Sequence, residues 1–402
     1  VGRGYLRVEG HVELEYGFTF PVRLPSQMAV MMAAQIAEQA GGARQARSEI
    51  RHVTRDDAEF LAIAWSEEAR QPMMADWVIV TDEREAGMRK VTVITEDVLA
   101  LAHPYPLEQR RTRSALVLAG VRIDGLPITL NSRQHISLVG NTGSGKTGML
   151  NLLLAELTLP EDRTGLPGRV WIGGQSKIYD LVGQWLDCHM DTDRPLPLDW
   201  VVQGQKDTLA MLVTAVREAE RRQALPHADR ADLEDIWVWI EEVPSFLGDT
   251  SEVAWWKGRW WTASELYGEA KRTTKSAGIF LVDLAQQFTN AMYGDAASKI
   301  KANANAMILM RSMNGDERGE MFGKGGAAMG DLYNSGKYYL RDAAAPVRGK
   351  GLYIQEMDAR MRQLHDGPNI VDVSMVRSTM LAALGPRPDV IAGEEYSARP
   401  RT

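Results

Sequence analysis

The sequence has 402 residues, 45% of them hydrophobic and 25% charged, as is typical of a folded globular protein with two or three domains. The formal net charge of −7 argues against a protein that coats nucleic acid, so any DNA contact requires a local basic surface. The single cysteine, Cys188, excludes an intramolecular disulfide and a zinc site with several thiolate ligands, and the seven histidines include no HExxH motif and no close pair.

Residues 1–113 form the first predicted region, a smaller N-terminal α+β domain. The stretch from Leu6 to Glu15 mostly alternates apolar and polar residues, which indicates a strand, and Ser26 to Ala40 is typical of a helix. Two short apolar runs, Trp77 to Val80 and Val91 to Ile94, indicate further strands. This region offers no catalytic motif.

The stretch from Pro104 to Arg113 is rich in proline and charge, and we interpret it as a linker to a second domain, residues 114–375. Here short, nearly continuous apolar runs alternate with helical segments, which indicates an α/β fold with a buried, mostly parallel sheet. The predicted strands are Ile136 to Val139, Val170 to Ile172, Trp200 to Val202, Trp237 to Ile240, Ile279 to Leu284, Ala306 to Met310 and Lys337 to Leu340. Residues 376–402 contain several prolines and charges and are interpreted as a loose C-terminal tail or linker.

One glycine-rich segment lies between a predicted strand and a predicted helix, the arrangement that a phosphate-binding loop requires. Its glycines allow backbone N–H groups to turn inward toward phosphate oxygens, and the helix that follows begins with unpaired N–H groups. Lys146 would contact the β- and γ-phosphates of ATP, and the Thr147 hydroxyl would bind Mg²⁺. The residues of this predicted ATP site are Gly140, Asn141, Thr142, Gly143, Ser144, Gly145, Lys146, Thr147 and Gly148.

A second, acidic site follows the apolar run Ile236 to Ile240, which ends in Glu241 and Glu242. In an ATP-hydrolysing enzyme, the first carboxylate would hold Mg²⁺ directly or through water, and the second would polarise the attacking water. The usual residue on the magnesium side is Asp, so Glu241 is a departure. The alternative is a strand that simply ends in a polar loop.

The second domain resembles the FtsK/SpoIIIE family of DNA-pumping ATPases, with a RecA-like P-loop core, over roughly Leu130 to Gln355. Lys177, where Gln175 and Ser176 replace an Asp-Pro pair, is similar to a turn of that family, as is the helix ending Glu220-Arg221-Arg222. The other similar segments are the P-loop strand and loop, Lys275 to Val282, Gln286, Ile300 to Asn303, Arg311, Asp316 to Arg318 and Pro346 to Gly351. The first region is reminiscent of TraB-type conjugative plasmid proteins.

This resemblance implies a hexameric ring, a homo-oligomer that threads double-stranded DNA through its pore with ATP bound between subunits. Gln286 would sense the γ-phosphate within its own subunit. An arginine of the next subunit, Arg318 or Arg311, would stabilise charge in the transition state; the alternative for each is an ordinary surface ion pair. Pore contacts would be made to phosphates. The candidates are Lys271, Arg272, Lys275, Lys299 and Lys301.

Four tryptophans and two cations alternate in the segment from Trp255 to Trp261. Stacking on nucleic acid is one interpretation. A role at a subunit interface or in the core, for example as the start of a helix, is the one we favour.

Two alternatives to a DNA translocase stay open at this stage. One is a type VII-like secretion ATPase that moves proteins, which the acidic net charge favours; the other is a nucleotide-binding coupling protein with low turnover, which Glu241 favours. We expect a cytoplasmic location because the sequence has a single cysteine and no run of about 18 apolar residues. The first residue is Val, so an anchor in a segment outside this chain, at the inner face of the cell membrane, stays open.

Overall fold

The structure is a computed structural model, and it describes segments of both predicted domains. The described residues are 7–8, 12–14, 17–23, 78–82, 88–94, 97–106, 112–175, 178, 182–183, 185, 198–288, 293, 306–311, 315–323, 326, 329–342, 346–352 and 397–400. The chain divides into two compact units, Val1–Leu101 with Arg122–Leu126, and Ala102–Val121 with Pro127–Thr402. None of the helices in these described segments has the length and apolarity needed to cross a bilayer.

The first unit contains a five-stranded antiparallel sheet in which β3 pairs with three other strands. The strands are β1 (Arg7–Val8), β2 (Val12–Leu14), β3 (Gly17–Arg23), β4 (Val78–Asp82) and β5 (Met88–Ile94). The two predicted runs around residues 78 and 91 are therefore strands. In the alternating stretch from Leu6 to Glu15, the described residues form β1 and β2, and the predicted helix from Ser26 to Ala40 lies outside the described residues.

The second unit is built on a ten-stranded sheet in the order β10-β9-β11-β14-β8-β15-β16-β17-β6-β7. The six strands from β10 to β15 in this order run parallel, whereas β16 is antiparallel to both of its neighbours. The strands are β6 (Leu116–Arg122), β7 (Pro127–Asn131), β8 (Ile136–Gly140), β9 (Arg169–Gly174), β10 (Trp200–Gln203), β11 (Ile236–Ile240), β14 (Ile279–Ala285), β15 (Ala306–Met310), β16 (Lys337–Asp342) and β17 (Val347–Lys350). All seven predicted strands of this domain are present, which confirms the α/β fold class.

Helices cover both faces of this sheet, which explains why its central strands β8 and β14 are buried at every position and apolar at nearly all of them. Alternate residues of β14 pack into two separate cores, Phe280, Val282 and Leu284 into one and Ile279, Leu281 and Ala285 into the other. The helices are α1 (Lys146–Leu157), α2 (Gln205–Gln223), α3 (His227–Ala231), α4 (Val243–Gly248), α5 (Ala263–Thr273) and α6 (Gly315–Phe322). Helix α1 lines the first core, and α2 and α5 line the second.

Two predicted loose segments contain ordered structure. Within the predicted linker, Tyr105 is fully buried in the core of the second unit, and its hydroxyl donates to Glu156 Oε1 at 2.7 Å. Within the predicted tail, β18 (Ser397–Pro400) pairs antiparallel with β12 (Glu252–Trp256). The linker is therefore anchored by a buried aromatic ring, and the tail is anchored by strand pairing. The content of proline and charge in the sequence did not predict either contact.

The tryptophan segment is a β-hairpin, so its interpretation as the start of a helix was wrong. Strands β12 and β13 (Arg259–Trp261) pair antiparallel across a two-residue turn, Lys257-Gly258, with φ values of 51° and 72°. Two consecutive positive φ values form the turn that suits the twist of a tight hairpin. Trp256 and Trp261 are buried in the second core, while Trp255 stays exposed and packs against Trp260.

Candidate functional site

The predicted site residues follow four neighbouring parallel strands, whose carboxyl ends meet at one edge of the sheet. Strand β8 leads into the glycine-rich loop, and its neighbours β14 and β15 lead into Gln286 and Arg311. Strand β11, on the far side of β14, leads into Glu241 and Glu242. Ligands of open α/β sheets bind at this edge. The sheet order therefore brings together the loop, the acidic pair, Gln286 and Arg311.

Close packing behind the loop requires glycine at two of its positions. A Cβ at Gly140 would lie 2.6 Å from Ser144 Oγ, and a Cβ at Gly145 would lie 2.7 Å from Gly336 N. Gly145 also has a φ of 91°, in the left-handed region that favours glycine. Its carbonyl accepts a hydrogen bond from Met149 N, which begins α1 at Lys146. The loop therefore has a fixed curl that leads into the amino-terminal end of a 12-residue helix.

Lys146 and Thr147 lie in the first turn of α1, where the helix dipole favours an anion. The Lys146 Nζ donates to the carbonyl oxygen of Ala285 at 3.2 Å. Ala285 is the last residue of β14, immediately before Gln286. This contact holds the ammonium group between the loop and the strand of Gln286, and Thr147 is exposed beside it.

Glu241 is buried against the neighbouring strand β9. Its backbone N–H donates to Gly173 O at 2.8 Å, and its side chain lies over Gly174. A Cβ at Gly174 would be 2.6 Å from the Glu241 Cβ and 2.8 Å from its Oε2. Gly174, which the sequence did not single out, therefore makes room for the side chain of Glu241, from its Cβ to its carboxylate.

Glu242 is half-buried and has a φ of 48°, an uncommon conformation for a residue with a side chain. It is the N-cap residue of the short helix α4, and its carbonyl accepts from Phe246 N at 3.1 Å. Such backbone strain costs about 1–3 kcal/mol and is typical of functional sites. The two consecutive carboxylates thus differ, Glu241 being packed into the sheet and Glu242 being held at its rim.

The two candidate arginines have different surroundings. The Arg311 guanidinium donates to Gly143 O of its own loop at 3.3 Å. Arg318, in α6, is buried and forms an ion pair with Asp331 at 2.7 Å. Both arginines therefore contact groups of their own chain, and a role in a neighbouring subunit stays a prediction.

A buried polar network behind the site joins α5 to the two central strands. Lys271 forms an ion pair with Asp283 of β14, and Ser137 of β8 donates to the same carboxylate at 2.8 Å. Burial lowers the pKa of Lys271 to about 7 and raises the pKa of Asp283 well above its usual value. Lys271 is buried, so its predicted contact with DNA is wrong. The exposed Arg272 pairs with Glu269.

His135, just before β8, completes this network as a neutral group. Its Nδ1 accepts from Leu281 N at 2.9 Å, so the proton is on Nε2, which donates to the carbonyl of Lys271 at 2.8 Å. Burial, followed by the nearby charge of Lys271, lowers the pKa of His135 to about 3.

Two other predicted pore residues, Lys299 and Lys301, lie outside the described residues.

The cations of the tryptophan hairpin are engaged within the chain. Lys257 pairs with Glu220 and lies over the Trp256 ring, and Arg259 pairs with Glu265 and lies over the Trp261 ring. These pairs leave less positive charge for phosphates than the sequence alone suggests.

The residues at the edge fit a nucleotide with Mg²⁺. In the part of the chain that the structure describes, no three His, Cys, Asp or Glu side chains form a metal cage. Magnesium bound to nucleotides usually takes one or two protein ligands together with phosphates and water. Thr147, which is exposed in the first turn of α1, and Glu241 can supply those few ligands, and the start of α1 offers backbone N–H groups to the phosphates.

Comparisons with known proteins identify similar structures only. No protein-family model and no curated protein matches the sequence. The structure is similar to the pCW3 conjugation coupling protein TcpA, in a monomer form with ATPγS, at 12% identity and a TM-score of 0.50 over 89% of this chain and 93% of that chain. It is also similar to the cytoplasmic domain of the Thermomonospora curvata type VII secretion ATPase EccC, at 17% identity and a TM-score of 0.47 over 67% of this chain and 33% of that chain. EssC ATPases 2 and 3 from Geobacillus thermodenitrificans match at 13% identity and a TM-score of 0.48, over 69% of this chain and 56% of that chain.

The similarity to TcpA extends over most of both chains and shows the fold. The chain therefore has the α/β fold of this coupling protein, which confirms the fold class predicted from the sequence.

Proposed function

We propose that this chain is an ATP-hydrolysing motor that translocates double-stranded DNA as a hexameric ring, as in conjugative DNA transfer. The observation that carries the proposal is the meeting of the glycine-rich loop, Lys146, Glu242 and Gln286 at one edge of a parallel sheet. A loop alone would support nucleotide binding. The half-buried carboxylate of Glu242, on the strand beyond β14, supports hydrolysis.

In the proposed mechanism, the loop and the start of α1 bind the phosphates of ATP through backbone N–H groups. Lys146 leaves the carbonyl of Ala285 and contacts the β- and γ-phosphates, a short movement because both partners lie at the same edge. Bound Mg²⁺, held by Thr147 with Glu241 nearby, would neutralise phosphate charge. Glu242 accepts a hydrogen bond from the attacking water and orients it toward the γ-phosphate.

Gln286 is the proposed sensor of the γ-phosphate, because it directly follows the carbonyl that Lys146 contacts. Arg318 is the proposed group that acts on a neighbouring subunit, and it would first have to leave Asp331. We propose a cytoplasmic location.

The two alternatives carry specific support. A protein-moving secretion ATPase fits the net charge of −7 and the intrachain pairing of Lys257, Arg259 and Lys271. A coupling protein with low turnover fits Glu241, which stands where Asp is usual, in a fold similar to that of a protein described as a coupling protein.

ATP hydrolysis measured with and without double-stranded DNA tests all three functions. We expect DNA to stimulate turnover, and we expect Glu242→Gln to lower kcat by roughly 100- to 1000-fold, the usual cost of removing one group that acts in the transition state. Glu242→Gln should still bind ATP. DNA-independent turnover would favour the secretion ATPase, and negligible turnover under both conditions would favour the coupling protein. Negative-stain images with and without DNA would test the ring.

A further inference from the structure

We propose that Arg311 is a positioning residue that acts in its own subunit and holds the P-loop in its phosphate-binding shape before the nucleotide arrives. This inference rests on the proposed ATPase function. It assigns to Arg311 a role different from stabilising charge at the ATP of a neighbouring subunit.

The register of the sheet brings Arg311 to the loop. Met310, the last residue of β15, lies opposite Gly140, the last residue of β8. Arg311 therefore leaves the sheet beside the loop, and its guanidinium donates to Gly143 O at 3.3 Å. A Cβ at Gly143 would lie 3.2 Å from that guanidinium nitrogen, so the absence of a side chain allows Arg311 to approach the loop. Gly143 also has a φ of 74°, which favours glycine.

The backbone of Arg311 is itself strained. Its φ is 44°, and its N–H donates to Lys337 O at 3.2 Å. Among the described residues, the other non-glycine residues with positive φ are Lys257, in the hairpin turn, and Glu242. The hairpin turn explains the positive φ of Lys257. The other two residues, Glu242 and Arg311, both lie at the nucleotide edge of the sheet. Strain of this kind persists where the surrounding structure imposes it, and it is a physical reason to look for a function.

A second donor from the same chain binds the next carbonyl of the loop. Gly336 N donates to Ser144 O at 2.8 Å, and Gly336 O accepts from Gly351 N at 2.9 Å. The segment after Asn334 is further tied to β17, because Lys350 Nζ donates to Ser335 O at 2.6 Å. The loop is therefore supported from outside by β15, by the turn before β16 and by the end of β17.

Binding two successive carbonyls from outside sets the direction of the N–H groups. In a planar trans peptide, the C=O and N–H bonds point to opposite sides. The hydrogen bond to Gly143 O thus turns the Ser144 N–H away from Arg311, where it donates to Asn141 O at 3.0 Å and closes the turn of the loop. The hydrogen bond to Ser144 O turns the Gly145 N–H away from Gly336. Preorganised N–H groups bind phosphate without a reorganisation cost, so removing either external donor should weaken nucleotide binding.

Nucleotide binding to the isolated chain tests this role, because a residue that acts only on a neighbouring subunit does not affect it. We expect Arg311→Ala to weaken binding of a fluorescent ADP and of ATPγS by roughly 10-fold, in line with the loss of one charge-assisted hydrogen bond. Arg311→Lys should recover part of the affinity. Arg311→Gly, which accepts the positive φ without strain, should lose affinity as Arg311→Ala does, since the guanidinium is absent from both.

Two controls separate the outcomes. Arg221→Ala removes an exposed arginine that pairs only locally with Glu218, and it should bind nucleotide as the unaltered chain does. Lys146→Ala tests the site itself; if it binds nucleotide normally, the proposed function fails. If Lys146→Ala loses binding while Arg311→Ala and Arg311→Gly bind normally, only the inference about Arg311 is overturned.

Mixing the two variants gives an independent test, at an ATP concentration too low to saturate Arg311→Ala. Arg311→Ala chains have an intact Lys146, and Lys146→Ala chains have an intact Arg311. If Arg311 acts in its own subunit, mixtures of the two hydrolyse ATP no faster than expected from the two variants measured separately. Recovery of activity in the mixture would show that Arg311 completes a neighbouring site, and it would overturn the inference.

Discussion

The two ends of the parallel strands differ in how their charged groups are held. At the carboxyl ends, Glu242 and Arg311 have strained backbones and are only half-buried. At the amino ends, Arg113 and Asp235 lie in a buried network with regular partners. The parallel strands therefore have residues with strained backbones at their carboxyl ends and buried, ion-paired residues at their amino ends.

The amino-terminal edge is held by several contacts of Arg113. Its Nε donates to Leu159 O at 3.1 Å, its NH1 contacts Asp235 at 3.4 Å, and its guanidinium lies 4.8 Å from the centre of the Trp237 ring. Arg133 adds a second donor to Asp235, at 3.0 Å, and pairs with Glu161. Burial is the largest influence on Arg113 and lowers its pKa, and the nearby carboxylates act in the opposite direction.

In this fold, the carboxyl ends of the strands carry the candidate functional groups, and the amino ends carry groups that stabilise the structure. Strained or movable groups persist only where the surrounding structure is firm. Stability of this kind comes from the buried ion pairs at the amino ends and from the Lys271–Asp283 pair in the middle of the sheet. Substitutions at one edge should therefore alter activity, and substitutions at the other should alter stability.

The largest effect is expected in the middle of the sheet. Lys271→Met leaves Asp283 buried without its cation and should lower the free energy of unfolding by about 3–5 kcal/mol. Because burial raises the pKa of Asp283 in the folded state, the deficit should grow as the pH rises and shrink at low pH, where the carboxyl is protonated in both states. The double variant Lys271→Met/Asp283→Leu is the control for urea unfolding, and equal destabilisation in both variants would contradict the charge explanation.

A somewhat smaller effect, on activity alone, is expected at the carboxyl ends. Lys146→Ala removes the cation beside Ala285 and should lower kcat by roughly 100- to 1000-fold or more, as the loss of a charge-stabilising group does. The urea midpoint should stay unchanged, since Lys146 is only half-buried. A marked loss of stability would show that the carboxyl ends also stabilise the fold, and it would contradict the expectation that substitutions there alter activity alone.

The opposite result is expected at the amino ends. Asp235→Ala removes the shared partner of Arg113 and Arg133 and should lower the free energy of unfolding by about 2–3 kcal/mol, the range for hydrogen bonds to charged groups. Glu161 remains near both arginines, which limits the loss. ATP turnover per folded molecule should match the unaltered chain at low temperature; a selective fall in kcat would mean that the two edges are coupled.

The smallest effect at neutral pH comes from His135, whose influence on stability appears only on acidification. Burial lowers its pKa from 6.5 to about 3, so the unfolded chain binds more protons between these values. Stability is therefore fully present above pH 6.5 and falls by about 1.4 kcal/mol per pH unit as the pH drops through this window. His135→Gln keeps one donor and one acceptor but does not titrate, so it should flatten this part of the profile. Identical profiles for both chains would refute the assignment.

The strands were predictable because burial on both faces makes their sequences nearly continuous apolar runs, as in Ile279 to Leu284. The edge that joins Lys146 and Glu242 was predictable because parallel strands end together. The contact of Arg311 with Gly143 was not, since it depends on the register of β15 against β8. The roles of Gly174 and Gly336 depend on tertiary packing for the same reason.

One structural element carried a sequence signal that was missed. Lys257-Gly258 lies between two pairs of tryptophans, and a glycine in a two-residue turn between aromatic pairs indicates a hairpin. Lys271 gave the opposite error. A cation within a charged stretch is usually exposed, but Lys271 of helix α5 is buried against Asp283, which is 12 residues away on strand β14.

Gly174 has a consequence for anyone who transplants this chemistry into another protein. The separation of its hypothetical Cβ from the Glu241 Cβ, 2.6 Å, is too short for any side chain at 174 while residue 241 has one. A design that copies only the charged residues onto a new parallel sheet would force the two strands apart and misplace the carboxylates. The smallest unit that can be grafted therefore includes a position on the adjacent strand with no side chain, which a screen of polar residues would never select.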